Sequence, residues 1–435
     1  MMRSIDLRDL QPTRAEFAAL VPRASVDVEA ASAAAAELIS DVRKRGSLAL
    51  LDQGERLDGV RPNHVRVHAE EISRSVTSLL PEVRDALEEA IDRVRTVTRA
   101  QVPPGSVTDL GDGAQVVQRW QPVSRVGLYV PGGKAVYPSS VVMNVVPAQV
   151  AGVPSVALAS PPQREFGGSV HPTILGAAGL LGIDEVYAMG GAGAVGAFAY
   201  GVADLDLDPV DVITGPGNVY VAAAKRLVRG VTGIDSEAGP TEILIIADGT
   251  ADARLVAADL ISQAEHDELA AAVLVTDSDA LAAAVRDEIQ RQADATPHAE
   301  RVRTALAGPQ SAIVLTTTLE DAARFSNAYG PEHLEIQVAE PGAVLDLIDN
   351  AGAIFLGAYS PVSLGDYLAG SNHVLPTGGQ SRFSAGLGAY TFLRPQQVIN
   401  YDRGALRAAE ARIVALSTAE DLPAHGAAVT ARFSR

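Results

Sequence analysis

Ser262-Gln263-Ala264-Glu265-His266-Asp267 holds the first residues whose types and spacing suggest chemistry. The run before it, Ala257-Ala258-Asp259-Leu260-Ile261, favours helix, so Gln263 and His266 are expected three apart on one helical face. An amide oxygen beside an imidazole is half of a zinc-type site, in which nitrogen and oxygen donors bind at about 2 Å in roughly tetrahedral geometry. The competing reading is a polar turn facing water. Gly330-Pro331-Glu332-His333-Leu334 then sets a carboxylate beside an imidazole where a loop enters a strand. Adjacent strand residues point to opposite faces, so both could serve one substrate only through irregular backbone, which Pro331 favours. They would supply two bases of different strength; an isolated pair of this kind more often belongs to a surface loop. Ser363 to Gly379 gathers Asp366, His373, serine, asparagine and threonine among glycines, more polar functionality than an ordinary connection requires. Glu420 and His425 stand five apart near the end of the chain. Of the 8 histidines, His266, His333, His373 and His425 have functional-looking neighbours. The mix of Gln, His, Asp and His offers four hard or borderline metal donors. Their spacing matches no compact zinc motif, so sequence arithmetic does not close the site.

The elements that must position these groups read as α/β. Residues from about 14 to 100 carry helical patterning, in Val28 to Arg45 and Ala69 to Ala100, with Gly46 a stop signal. Ala114 to Gln121, around Trp120, reads as an edge strand. Then β-branched runs recur roughly every 25 to 40 residues with helical stretches between them. They are Val126 to Val130, Ser155 to Ala159, Glu185 to Met189, Val210 to Thr214 and Glu242 to Ile246. A second series, Ala271 to Thr276, Ala312 to Thr316, Leu334 to Val338 and Ala353 to Leu356, suits another sheet. Two Rossmann-like parallel-sheet lobes are the simplest packing of so many units. After Gly388 the tail becomes helical and charged, with a boundary at Arg394-Pro395.

Glycine loops follow several strands: Pro131-Gly132-Gly133, Gly190-Gly191-Ala192-Gly193 and Gly215-Pro216-Gly217-Asn218. At the carboxyl ends of parallel strands such loops let backbone approach a phosphate, which suggests a dinucleotide. Gly191 to Gly196 even satisfies G-x-G-x-x-G. The ribose-binding acid it requires would be Asp211, which stands at the start of the next strand instead of a strand end. Tight packing of small residues explains that spacing equally well. Lys225 could reach a phosphate or simply be solvated.

Composition bounds the partners. The 53 acidic and 35 basic residues give a net charge of −18, which repels nucleic acid and anionic membranes. With no cysteine there is no disulfide, thiolate ligand or thiol nucleophile. The charged start, Met1 to Asp9, lacks the apolar core of a secretory signal, so a cytoplasmic location is expected. The longest uncharged stretch, Ala135 to Gln163, is broken by Pro138, Pro147 and Pro154 and reads as buried core, leaving no membrane span.

Taken together, Gly127 to Gly133, Gly215 to Asn218, Ala238-Gly-Pro-Thr-Glu242, Ser262 to Asp267, Pro331 to Glu335 and Gly365 to Thr377 closely resemble the histidinol dehydrogenase family along essentially the whole chain. The resemblance implies an enzyme using zinc and NAD⁺. It assigns Gln263, His266, Asp366 and His425 to the metal, and Glu332 and His333 to acid–base catalysis. It assigns Thr241, His373 and Glu420, with the metal ligands and His333, to the substrate. Tyr129, Asn218 and Gly193 fall at cofactor positions; Gly193 departs from the glutamine usual there, which bears on cofactor affinity and pose. The implied reaction oxidises L-histidinol through L-histidinaldehyde to L-histidine with two NAD⁺. Without cysteine, water must add to the aldehyde, since no thioester can form. The implied assembly is an intertwined homodimer, with Glu420 and His425 completing the partner's site. The expected division is an N-terminal arm (1–24), a first lobe (25–112 with 245–388), a second lobe carrying the cofactor loops (113–244) and a helical tail (389–435). A dehydrogenase of another amino or hydroxy alcohol, a zinc hydrolase and a non-catalytic metabolite-binding protein are the alternatives.

Overall fold

The structure, a computed structural model, describes every residue except Met1, Asp9, Gln11, 25–27, Gly133, Lys134, Ala238 and Arg435. Gly133 of the first glycine loop and Ala238 of the Ala238 to Glu242 motif therefore lie outside the described residues. The strands in chain order are β1 (Arg3–Asp6), β2 (Ser106–Asp109), β3 (Ala114–Pro122), β4 (Arg125–Tyr129), β5 (Ser155–Ser160), β6 (Val186–Ala188), β7 (Val212–Thr214), β8 (Gly233–Ile234), β9 (Glu242–Ala247), β10 (Ala271–Thr276), β11 (Ala312–Leu315), β12 (His333–Gln337), β13 (Ala353–Leu356) and β14 (Leu393–Tyr401). A six-stranded parallel sheet has the order β1-β11-β10-β9-β12-β13, and a five-stranded parallel sheet the order β6-β5-β4-β7-β8. The expected α/β class with two parallel sheets is thus present. Every residue of β9 and β10 is buried, as near-continuous apolar runs require when helices cover both faces.

The packing redraws the expected division. The first lobe was to include residues 25–112, but helices Val28–Arg45, Ala69–Ser78 and Pro81–Ala100 pack on the five-stranded sheet through the helices that flank it. Amphipathic patterning says that a helix has an apolar stripe, not which sheet covers it. The arm at 1–24 supplies β1, which pairs with β11, and helix Arg14–Leu20, which packs beside helix Leu319–Tyr329. The Trp120 strand, β3, is not an edge: it lies between β14 and β2 in a three-stranded antiparallel sheet. The tail therefore begins with a strand, and Pro395 pairs with Trp120 where a boundary was expected. Helices Arg403–Ala419 and Pro423–Thr430 follow and pack chiefly on each other. Among the described residues no helix is long and apolar enough to cross a membrane.

Lys225 is neither solvated nor directed to a phosphate loop as a free cation. Its ammonium, with the side chain 1% exposed, donates at 2.5 Å to Asp235 Oδ1 and at 2.5 Å to the Gly215 carbonyl. Asp235 Oδ2 accepts from Gly215 N–H at 2.8 Å. The pair thus braces the loop after β7, where Gly215 has φ +114° and the Tyr129 carbonyl leaves no room for a Cβ. Lys225→Met strands a buried carboxylate and should cost about 3–5 kcal/mol in chemical denaturation. Lys225→Met with Asp235→Leu should recover much of that loss, and equal loss in single and double variants would show that charge pairing is not what the loop requires.

Candidate active site

Glu332 occupies a bend immediately before β12, and His333 is the first residue of the strand. The bend turns both side chains to one region, with Glu332 Oε2 3.7 Å from His333 Nδ1, too far for a hydrogen bond. Nδ1 lies 3.0 Å from the Glu242 carbonyl. A carbonyl only accepts, so Nδ1 carries the proton and Nε2 presents a lone pair. Burial holds His333 below the usual histidine value against the opposing charge of Asp366, which keeps the ring neutral. Burial pushes Glu332 the other way, up to about 8. The Thr241 hydroxyl at 2.6 Å and Glu242 N–H at 2.9 Å both donate to its Oε2 and restrain that rise.

Helix Ala253–Ala264 carries Gln263 in its last turn, and the helix ends before His266. The two were expected on one helical face; His266 instead lies in the turn beyond, its N–H 3.3 Å from the Gln263 carbonyl. Gln263 is buried, and its Nε2 donates to Thr241 Oγ1 at 2.5 Å, which leaves the amide oxygen as the atom it could offer a metal. Asp366, in helix Val362–Tyr367, acts electrostatically on His333 and His373, and His266 acts on Glu332 and His373. Gln263, His266, Asp366, Thr241, Glu332, His333 and His373 therefore surround one site on one chain. Amide oxygen, imidazole nitrogen and carboxylate oxygen suit zinc chemically but fall one short of a four-ligand set. Among the described residues no group of three or more His, Asp or Glu could hold a metal. Glu420, just after helix Arg403–Ala419, and His425, on helix Pro423–Thr430, are exposed and lie outside this cluster on their own chain.

His373 joins the two lobes. Its Nδ1 donates to the Asp366 carbonyl at 3.0 Å, and Nε2 accepts from Ser140 Oγ at 3.1 Å, at the start of helix Pro138–Ala151. Asn372 adds a bond to the Met143 carbonyl at 2.6 Å. Beneath the cluster, Glu242 pairs with Arg23 at 2.5 Å and accepts from Gly378 N–H at 3.2 Å, and Thr377 accepts from Gly239 N–H at 2.5 Å. Sequence reasoning missed Glu242, Arg23 and Ser140 as supports. Glu242 had a signal, a lone charge opening an otherwise apolar strand; Arg23 and Ser140 had none.

Tyr129, Gly190 to Gly193 and Gly215 to Asn218 lie at the carboxyl ends of β4, β6 and β7, along one edge of the five-stranded sheet. Strand order reverses between β4 and β7, the crevice where open parallel sheets take ligands. Tyr129 is buried, its hydroxyl accepting from Gly191 N–H at 3.2 Å, and burial pushes its pKa up to about 12. Asn218 caps helix Val219–Val228 through Oδ1, at 3.0 Å from Tyr220 N–H, which leaves its amide nitrogen for a ligand. Gly193 faces the buried carboxamide of Gln53, and Gly196 faces Ile39. The G-x-G-x-x-G spacing thus serves close helix-on-helix packing. Asp211 accepts from Ser124 and Arg125 N–H at 2.7 and 3.0 Å, at the amino end of β4, away from the glycine loops. The acid that does face this edge is Asp58, beside Gly190 and Tyr129, raised to about 6 by burial.

A sequence model of the histidinol dehydrogenase family matches residues 21–433. The histidinol dehydrogenase of Leifsonia xyli subsp. xyli is 71% identical over 432 residues, 99% of each chain. That of Thermobifida fusca is 58% identical over 435 residues, covering 100% of this chain and 99% of its own. The crystal structure of histidinol dehydrogenase from Elizabethkingia anophelis superposes with a TM-score of 0.93 at 31% identity, covering 99% of this chain and 98% of that one. The chain belongs to the histidinol dehydrogenase family.

Proposed function

We propose that this oxidoreductase converts L-histidinol through L-histidinaldehyde to L-histidine with two NAD⁺, in the cytoplasm, at a zinc-bearing site shared between two copies of the chain. The observation that carries the reading is the His333 ring, fixed by the Glu242 carbonyl with Nε2 free, inside a cluster that also holds Glu332, His266 and Asp366. Gln263, His266 and Asp366 of one copy and His425 of the other would hold zinc, which when bound supplies a Lewis-acidic anchor for the amino and imidazole nitrogens of the substrate. NAD⁺, accepting one hydride in each oxidation, would lie along the edge of β4 and β7 against Tyr129 and Asn218, with Gly193 offering only backbone. In the first oxidation His333 Nε2 takes the hydroxyl proton as hydride leaves carbon. In the second, Glu332 takes a proton from the water that adds to the aldehyde, and the hydrate yields the second hydride. Thr241 and His373, with Glu420 of the partner subunit, would orient the substrate. Thr241 meanwhile tempers the Glu332 pKa through its hydroxyl.

The two half-reactions should respond differently to pH. Glu332 must be ionised to accept a proton, and a carboxyl raised to about 8 loses its proton as pH rises. Initial rates of aldehyde oxidation should therefore climb between pH 7 and 9, while alcohol oxidation, served by a histidine already neutral, should stay nearly flat. Glu332→Gln should spare alcohol oxidation and lower aldehyde oxidation by roughly 10²–10⁴-fold. Equal loss of both steps with zinc still bound would refute this division of labour.

Subunit sharing has its own assay. Asp366→Ala and His425→Ala chains, each inactive alone, should regain about a quarter of wild-type activity after random exchange into mixed dimers. Absence of recovery despite demonstrated exchange would place both ligands in one subunit.

A further inference from the structure

His333, Glu335 and Gln337 alternate along β12 and so share one face. Glu335 is 1% and Gln337 5% exposed, and neither belongs to the acid–base pair. Glu335 Oε1 accepts from Val362 N–H at 3.0 Å, the first residue of the short helix that carries Asp366. Gln337 Nε2 donates to Glu335 Oε2 at 3.0 Å and to Asp259 Oδ2 at 3.2 Å. Asp259 lies one turn before Gln263 on helix Ala253–Ala264. One polar knot therefore ties together the three elements that present His333, Gln263 with His266, and Asp366.

The knot's surroundings leave the two carboxyls to each other. In the sheet register Glu335 sits between Ile245 of β9 and Phe355 of β13, helix Val362–Tyr367 offers it a backbone N–H, and helix Ala253–Ala264 turns Asp259 toward it. On its own strand the titratable neighbour is His333, which is neutral. Two ionised carboxylates this close, without a cation, would be strongly unfavourable in such a setting. Both are displaced upward, chiefly by burial, Glu335 to about 8.

We infer that Glu335 and Asp259 share one proton and, with Gln337, form a clamp that sets the spacing of the metal-binding and proton-accepting side chains. Glu335 is thus a positioning residue. The inference rests on the reading of Gln263, His266 and Asp366 as zinc ligands, but the shared proton does not. Glu335→Gln keeps an N–H for Asp259 and an oxygen for Val362, whereas Glu335→Leu removes both and leaves Asp259 only the Gln337 amide.

Two measurements on the full-length protein test it. Zinc affinity, from competition with a chromophoric chelator at pH 7, should be within about 3-fold of wild type in Glu335→Gln and about 10–100-fold weaker in Glu335→Leu. Thermal unfolding of the metal-free chain tests the proton directly. A carboxyl raised on folding costs stability progressively as pH rises from its unfolded value toward about 8, so Glu335→Gln should gain on wild type across that window. Parallel pH profiles for the two would overturn the shared proton, and wild-type zinc affinity in a folded Glu335→Leu would overturn the clamp. Should Glu335→Leu fail to fold, the Glu335→Gln profile still decides. A wild-type chain that binds no zinc would instead sink the metal reading and with it the clamp's role at the site, while the unfolding profiles still judge the proton.

Discussion

The parallel pairing of β12 with β9 is the constraint on which the site depends. His333 stands beside Ile243 in that register, so Thr241 and Glu242 arrive at the same end as Glu332 and His333. From this follow the hydroxyl and N–H that hold Glu332 and the carbonyl that fixes the His333 tautomer. A slip of one residue would turn His333 and Glu335 to the opposite face of the sheet. The same end receives the C-terminus of helix Ala253–Ala264, which brings Gln263 and the turn with His266 to the cluster. The chemistry thus gathers at the amino ends of one sheet and faces the carboxyl ends of the other, with the Ser140 to His373 bond joining the two.

Three glutamates enter this interior, and the partners differ for each. Glu242 has a cation, Arg23, itself stacked over Tyr329 at 4.0 Å from the ring centre. Glu332 has a hydroxyl and an N–H against its oxygens, and Glu335 has a backbone N–H and a carboxamide. An unpaired buried carboxylate costs several kcal/mol, so the last two hold their protons well above the usual carboxylate range. One fixed ion pair and two carboxyls raised by burial thus occupy adjacent strands, and the charge of Glu242 adds to the rise at Glu332.

Local chemistry was legible in the sequence, and long-range packing was not. The runs from Val126 to Leu356 mark strands because a sheet covered on both faces leaves little but β-branched residues. Glu332 and His333 announced themselves as polar residues at a strand's entry, and Pro331 foretold the bend. The lobe that helices Val28–Arg45 and Pro81–Ala100 would join could not be read, since an apolar stripe fits either sheet. β3 looked like an edge because its partners, β2 and β14, are short or nearly 280 residues away. The Gly191 to Gly196 spacing imitated a phosphate loop because phosphate approach and close helix packing make the same demand, the absence of a Cβ. Asp58 and Glu335 carry no local mark. Their importance comes from what folding removes, namely water.

The tail is where chain and site part company. Strand β14 has most of its residues exposed, with Ile399 at 71%, and the helices beyond leave Leu416 at 66%. Large apolar side chains left uncovered on an extended element forfeit about 25 cal/mol per Å² that burial would return. A segment tied to the body chiefly through β3, with its two helices packed on each other, gains little from its own chain. In the proposed dimer a second copy would supply both the missing cover and a metal site for His425. In the same proposal the donors Gln263, His266 and Asp366 would gain their fourth from that copy. If tails are exchanged as proposed, one contact would cover the exposed apolar surface of the tail and complete the proposed metal set.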